Sequence, residues 1–251
     1  MFRLCALVFV SVAVIVYGEE DIKKYLKICP RNALDVNDCL SDAVQKGIAA
    51  MLDGIPEWDV PAIDPYLQKS YKVDYNNNQL NAKMVMKNIY VEGMKLAKVH
   101  DARLRADDDK FHLEIDLTSP SIVVKGDYRG QGQFNSITIE AQGTFLVTMT
   151  DLTFTWKLDG LPETNGTDSY MRINDFYMRP DVTKMFVVLQ NDNPQSKELI
   201  DLGTRFINEN WRILYRELLP FAQANWKEIG TNITNKIFLK FPYDDIFPIS
   251  S

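Results

Sequence analysis

Histidine and cysteine are scarce: His100 and His112 are the only histidines, and Cys5, Cys29 and Cys39 the only cysteines, in 251 residues. A zinc centre needs at least three converging nitrogen, sulfur or oxygen ligands, and no His-Glu-x-x-His helix is written here. No serine sits in a Gly-x-Ser-x-Gly elbow, and no Gly-x-x-x-x-Gly-Lys-Ser/Thr loop exists among the twelve glycines. Hydrolase and nucleotide-enzyme signatures are therefore missing. Positive charge is in deficit too, with 28 Lys and Arg against 34 Asp and Glu, a net charge of −6 that becomes −7 without Arg3. Nothing in that balance attracts nucleic acid, and an acidic surface needs no partner beyond solvent. The aspartates Asp107-Asp108-Asp109 lack the spaced ligands and glycine of a calcium loop. The expectation is no catalytic residue, no metal and no cofactor.

Long apolar runs are lacking as well, except at the start. Arg3 precedes an uncharged stretch from Leu4 to Val16, then Tyr17-Gly18 and the acidic Glu19-Glu20-Asp21. That is the pattern of a cleaved secretory signal over residues 1–18, too short to span a bilayer comfortably. It leaves 19–251 as one secreted, extracellular domain, expected to be a monomer without stable membrane insertion. Cys5 leaves with the signal. In an oxidising compartment Cys29 and Cys39 are expected to form one local disulfide, with a metal pair or a reactive thiol as the alternatives. Two glycosylation sequons are present, Asn165-Gly166-Thr167 among turn formers and Asn232-Ile233-Thr234 on a helical face, where burial would silence it.

What the chain does contain is periodicity. Ala43, Val44, Ile48, Met51 and Leu52 mark a short amphipathic helix that stops at Asp53-Gly54. Pro56, Pro61 and Pro65 then impose an extended segment in which Trp58 plugs a gap. From Tyr71 to Leu189 the period is two, with turns expected at Asn76-Asn77-Asn78, Asp107-Asp108-Asp109 and the glycine-rich stretch from Gly126 to Gly132. His112 falls on the wet side of its strand, and His100 is equally solvated. The dry face changes parity twice, between Met86 and Ile89 and near Thr150-Asp151, so a bulge or bend is expected at each place.

From Ser196 to Ile229 the period becomes helical. Leu199, Leu202, Phe206, Ile207, Trp211, Leu214, Leu218 and Phe221 form an apolar stripe, and Arg205, Glu209, Arg212, Arg216, Gln223 and Lys227 a polar one. Such a helix extends on the order of 50 Å and needs a long partner surface. Pro220 is expected to kink it. The fold class that follows is α+β: a long amphipathic helix wrapped in a strongly curved antiparallel sheet, enclosing a hydrophobic tunnel. A lipophilic ligand in that tunnel would touch Phe111, Leu113, Phe145, Val147, Met149, Phe154 and Trp156 from the sheet and Phe206, Trp211 and Leu214 from the helix. A tyrosine such as Tyr128 would supply a hydroxyl anchor.

Three separated motifs carry a family resemblance. Cys39-Leu40 with Ala43, Gly54-Ile55-Pro56-Glu57, Val60-Pro61 and Asp64-Pro65 form the first. Phe206-Ile207-Asn208-Glu209-Asn210-Trp211 with Glu217-Leu218 and Pro220 form the second, and Tyr243-Asp244-Asp245-Ile246-Phe247-Pro248 the third. In this order they resemble the takeout and haemolymph juvenile-hormone-binding proteins of insects, a group with circadian and feeding-related members. The resemblance implies a secreted, non-catalytic carrier of a terpenoid, fatty acid or similar lipid, with one amino-terminal disulfide matching Cys29 and Cys39. The chain lacks cysteines for the second disulfide usual in the hormone-binding branch, so it is closer to the takeout-like branch. The lead into the long helix, Leu189-Gln190-Asn191-Asp192-Asn193-Pro194, departs from that family's asparagine- and glycine-rich form. Two rival readings are a secreted interaction protein with a filled core and an outer face for a protein receptor, and an esterase acting on hormone-like esters.

Overall fold

The computed structural model describes residues 22–76, 80–134, 137–194 and 197–250. The expected signal segment, with Cys5, lies outside the described residues. Alternating apolar and polar residues build six antiparallel strands: β1 (Tyr66–Asn76), β2 (Leu80–Glu92), β3 (Lys98–Ala106), β4 (Phe111–Phe134), β5 (Ile137–Asn165) and β6 (Asp168–Asn191). They form one sheet in the order β1, β2, β4, β5, β6. β4 changes partner along its length, pairing with β3 up to Thr118 and with β2 from Val123 onward. Phe111, Leu113, Ile115 and Leu117 are buried, and the residues between them face outward.

The stretch Gly126 to Gly132 is strand, not the turn its composition suggests. β2 bulges between Lys87 and Tyr90, with Asn88 at φ 49°, and this pushes backbone toward β4. A Cβ on Gly126 would lie 2.8 Å from the Lys87 carbonyl oxygen. Glycine is there to permit close strand approach.

The parity changes mark real bends. The first is that bulge in β2. The second, at Asp151 (φ 53°), extends across the sheet. Ser119 opposes Leu152 and Ser121 opposes Thr150, while Thr150 opposes Lys184 and Leu152 opposes Val182. Pro120, Asp151 and Thr183 therefore share one line across β4, β5 and β6. Apolar parity flips there in all three strands: Leu117 to Ile122, Met149 to Leu152, Val182 to Met185. One residue per strand turns over, so the same face stays concave and the sheet acquires a transverse crease.

The helices that accompany the sheet include α1 (Val36–Met51), α2 (Lys197–Phe238) and α3 (Tyr243–Ile246). α2 runs nine residues beyond the expected end at Ile229, and its break in helical geometry is at Asn210 (φ −114°, ψ 17°), not at Pro220. Pro220 keeps helical dihedrals; on an exposed turn its missing donor is tolerated. Arg212 donates to the Thr183 carbonyl at 3.2 Å, so the bend in the helix meets the crease in the sheet.

The expected stripes of α2 also need revision. Leu199, Leu202, Phe206 and Leu218 are exposed, and the buried residues of the helix are Trp211, Ile237 and Phe238. Its polar side does not simply face water. It lies along the free edge of β6, where strand backbone needs partners. Asn208 accepts from Val187 N–H and donates to Val187 C=O, both at 2.8 Å. Asn235 pairs with Ile173 in the same two-bond way, both at 2.8 Å. Gln223 donates to the Met178 carbonyl, Tyr215 to the Pro180 carbonyl, and Lys227 pairs with Asp175. The edge of β3 is treated alike by α1, through Asn37 to Leu104 N–H and Gln45 to Val99 N–H and Ala97 C=O.

The termini are tied together. Cys29 and Cys39 are joined in a disulfide, and Cys29 is buried. Arg31 stacks 4.7 Å over Tyr243 and bonds to Asp108, Asp244 and the Phe247 carbonyl. The proline segment is not wholly extended: Pro56–Trp58 form one 3₁₀ turn, since proline suits a first helical position. Trp58 fills the gap between Tyr25 and Phe241, with ring centroids 4.9 and 5.0 Å away.

Candidate ligand-binding site

The concave face and α2 enclose the interior of a half-barrel, and the crease divides it unequally. On the α3 side, Phe111, Leu113, Leu152, Phe154, Leu158, Ile173 and Phe238 belong to one large buried cluster. Beyond the crease, among the described residues, Ile122 still belongs to the large cluster, and Ile89, Tyr128 and Phe145 form a separate small one, flanked by the half-buried Tyr71, Met86, Val147 and Leu189. The part of α2 that precedes the Asn210 bend contributes no buried residue. Apolar surface is thus plentiful in the second compartment and weakly covered.

The ten residues expected to touch ligand divide along the same line. Phe111 is wedged against Phe238 and Phe247 at 5.2 and 5.3 Å between ring centroids. Leu113 and Phe154 are buried beside it, and Trp156 donates its indole N–H to Met178 sulfur at 3.1 Å. Trp211 is buried next to Tyr215. Met149 is half-buried at the crease, whereas Phe145 and Val147 lie beyond it. Leu214 is half-buried, and Phe206 is 57% exposed. The structure therefore brings Phe145 and Val147 together in the thin compartment and Phe111, Leu113, Phe154 and Trp156 together in the dense one.

Residues that periodicity did not single out hold the second seam, between α2 and the free edge of β1. Gln68 and Asn225 exchange two amide hydrogen bonds of 2.8 and 3.0 Å, and Tyr71 donates to the Phe221 carbonyl at 2.7 Å. Their signal was available only as isolated polar residues on a half-buried strand and helix. A cavity of about 650 Å³ opens in this seam, lined by Pro56, Val60, Tyr66, Tyr71, Asn225, Glu228 and Asn232. Burial raises the Tyr71 hydroxyl above its ordinary pKa, and pushes Tyr215 up to about 12 with help from Asp181. Both stay neutral donors through the physiological range. Asn232 is exposed at the cavity rather than buried, and Asn165 is exposed at the β5–β6 turn.

His112 and His100 lie on the convex face, away from this interior. His112 bonds to Asp159 at 2.7 Å and His100 to Thr118 at 2.7 Å. The neighbouring charges, Glu114, Asp116, Arg103 and Lys157, satisfy one another. No group of three potential metal ligands occurs among the described residues.

The model of the haemolymph juvenile hormone binding protein family matches residues 4–248. The chain belongs to that family. Among characterised relatives, the circadian clock-controlled protein daywake of Drosophila yakuba is 21% identical over 86% of this chain and 86% of its own length. The Drosophila melanogaster daywake protein is 21% identical over 92% of this chain and 90% of its own. The crystal structure of Epiphyas postvittana Takeout 1 superposes with a TM-score of 0.72 at 20% identity, covering 89% of this chain and all of that one. The curled sheet closed by a long carboxy-terminal helix is the Takeout fold. Family membership gives the concave interior its context, that of a binding protein, and no described helix is long and apolar enough to cross a membrane.

Proposed function

We propose that residues 19–251 form a single secreted carrier domain, released from a signal peptide, that holds a small hydrophobic ligand between sheet and helix and performs no catalysis. The observation that supports this most is the unequal packing about the crease. A dense half gives rigidity, while the half containing Phe145, Val147, Met86 and Leu189 offers apolar surface under a helix segment with no buried residue of its own. Met86 and Met149 re-pack readily around varied shapes, and removing apolar ligand surface from water supplies about 25 cal/mol per Å². The cavity in the β1 seam opens beside that half and shares Tyr71 with it. The carrier acts as a monomer, glycosylated at Asn165 and at Asn232.

Native mass spectrometry of the secreted protein should show a co-purifying lipid, and delipidated protein should take up an apolar fluorophore. Protein that is repeatedly empty and excludes the fluorophore would overturn the proposal.

A further inference from the structure

Tyr71, Met86, Tyr128, Gly143 and Asn191 are successive partners across β1, β2, β4, β5 and β6. Direct partners share a face, and the Tyr71 hydroxyl reaches α2, so this row lies on the concave side. Two of its side chains carry buried polar atoms with no hydrogen-bond partner among the described residues: the Tyr128 hydroxyl and Asn191 Oδ1. Gly143 stands between them and places no side chain in the gap. Asn191 Nδ2 donates to the Asn193 carbonyl at 2.8 Å, which fixes the amide so that its oxygen is the atom left over. Tyr128 is 8% exposed, in the small cluster with Ile89 and Phe145. Burying such groups unpaired costs about 1–3 kcal/mol each, which native folds rarely accept without a use.

We propose that Tyr128 and Asn191 together bind the hydroxyl group of a neutral lipid alcohol whose hydrocarbon lies in the thin compartment. This rests on the carrier reading and names the chemical class of the cargo. The Tyr128 phenol donates to the ligand oxygen, and Asn191 Oδ1, which only accepts, takes the ligand's O–H. An ester or ether satisfies one of the two groups, and a hydrocarbon neither. A carboxylate has no proton for Asn191 and would meet the negative charge of Asp192, which already raises the Tyr128 pKa after burial has done so. Entry displaces Met86, the neighbour of Tyr128 in the row, whose unbranched side chain re-packs at low cost.

The test uses delipidated full-length secreted protein loaded with N-phenyl-1-naphthylamine and challenged with dodecan-1-ol, its methyl ether and dodecanoate at neutral pH. The alcohol should displace the fluorophore at roughly five- to tenfold lower concentration than the other two, the worth of one or two hydrogen bonds. Asn191→Leu should bring alcohol and ether to within about twofold while leaving ether binding unchanged, whereas Tyr128→Phe should weaken alcohol and ether alike by the worth of one hydrogen bond and keep the preference between them. Thermal melting of Tyr128→Phe should be no lower than wild type, because the substitution removes an unpaired hydroxyl. Fluorophore uptake without a preference for the alcohol overturns this inference alone. So does a preference that survives Asn191→Leu, or alcohol and ether binding that Tyr128→Phe leaves unchanged, either of which would leave water as the partner of these atoms. Failure to take up the fluorophore at all overturns the carrier proposal and this inference with it.

Discussion

Asn208 and Asn235 act by imitating a strand. Each offers one donor and one acceptor in the spacing of a peptide group, and each pairs with both backbone groups of one β6 residue. Asn235→Ala would leave Ile173 N–H and C=O unpaired at a half-buried seam, and is expected to cost about 1–3 kcal/mol in urea unfolding, with Asn208→Ala similar. Asn235→Leu should be no better, since volume is not what the seam lacks. Glu114 is a second informative residue. Lys157 first, and Arg103 next, hold its carboxyl at about 2, below the ordinary 4.5. A carboxyl depressed in the folded state stabilises above its unfolded pKa and stops doing so as pH falls through the folded one. The melting temperature should therefore decline between pH 4.5 and about 2, and Glu114→Gln should flatten that decline.

At the scale of elements, the helix and the strand edges explain each other. Helical amide side chains meet strand backbone at two free edges, Asn37 with Gln45 at β3 and Asn208 with Asn235 at β6, while at β1 the helix amide Asn225 pairs with the Gln68 side chain. Backbone groups paired in this way at β3 and β6 are withheld from a second chain. α2 also lies close over β6 at Gly230, where a Cβ would come within 2.2 Å of the Phe176 ring. Gly230→Ala should cost about 1–3 kcal/mol despite its better helix propensity, readable as a lower urea midpoint, because overpacking outweighs propensity here. Much of this was legible in sequence. Period two gave the strands, the jumps at Met86 and Asp151 gave the bends, and two surviving cysteines gave the disulfide. The orientation of α2 was not. A polar stripe reads the same whether it meets water or a strand edge, so Arg212, Gln223 and Lys227 looked solvated and Leu199, Leu202 and Phe206 looked buried. Pro220 misled because proline signals a lost donor wherever it occurs, whereas the bend follows the sheet at Thr183. Within the candidate site, Phe145 was nameable from pattern, whereas Tyr128 stood out only as one tyrosine among several, with no periodicity to place it. The Gln68 to Asn225 pair was not, since only tertiary structure makes two lone amides partners.

The whole molecule is a half-barrel with unequal halves. Local stability follows burial, so backbone amides of 197–210 should exchange hydrogen faster than those of 211–238, and an apolar fluorophore should slow exchange chiefly in the first segment. Hydrogen–deuterium exchange with peptide-level mass spectrometry checks both, and uniform protection along α2 would contradict the division. The crease has a further bearing, on how such a gene can change length. Pro120, Asp151 and Thr183 are single residues that turn their strands over in concert. Losing one codon at Asp151 would invert the inside and outside of everything on one side of it in β5, while β4 and β6 kept theirs. Insertions and deletions should therefore accumulate at the β5–β6 turn around Gly166, which has no neighbour within 4 Å of an added Cβ, and be purged from this line unless three strands change together.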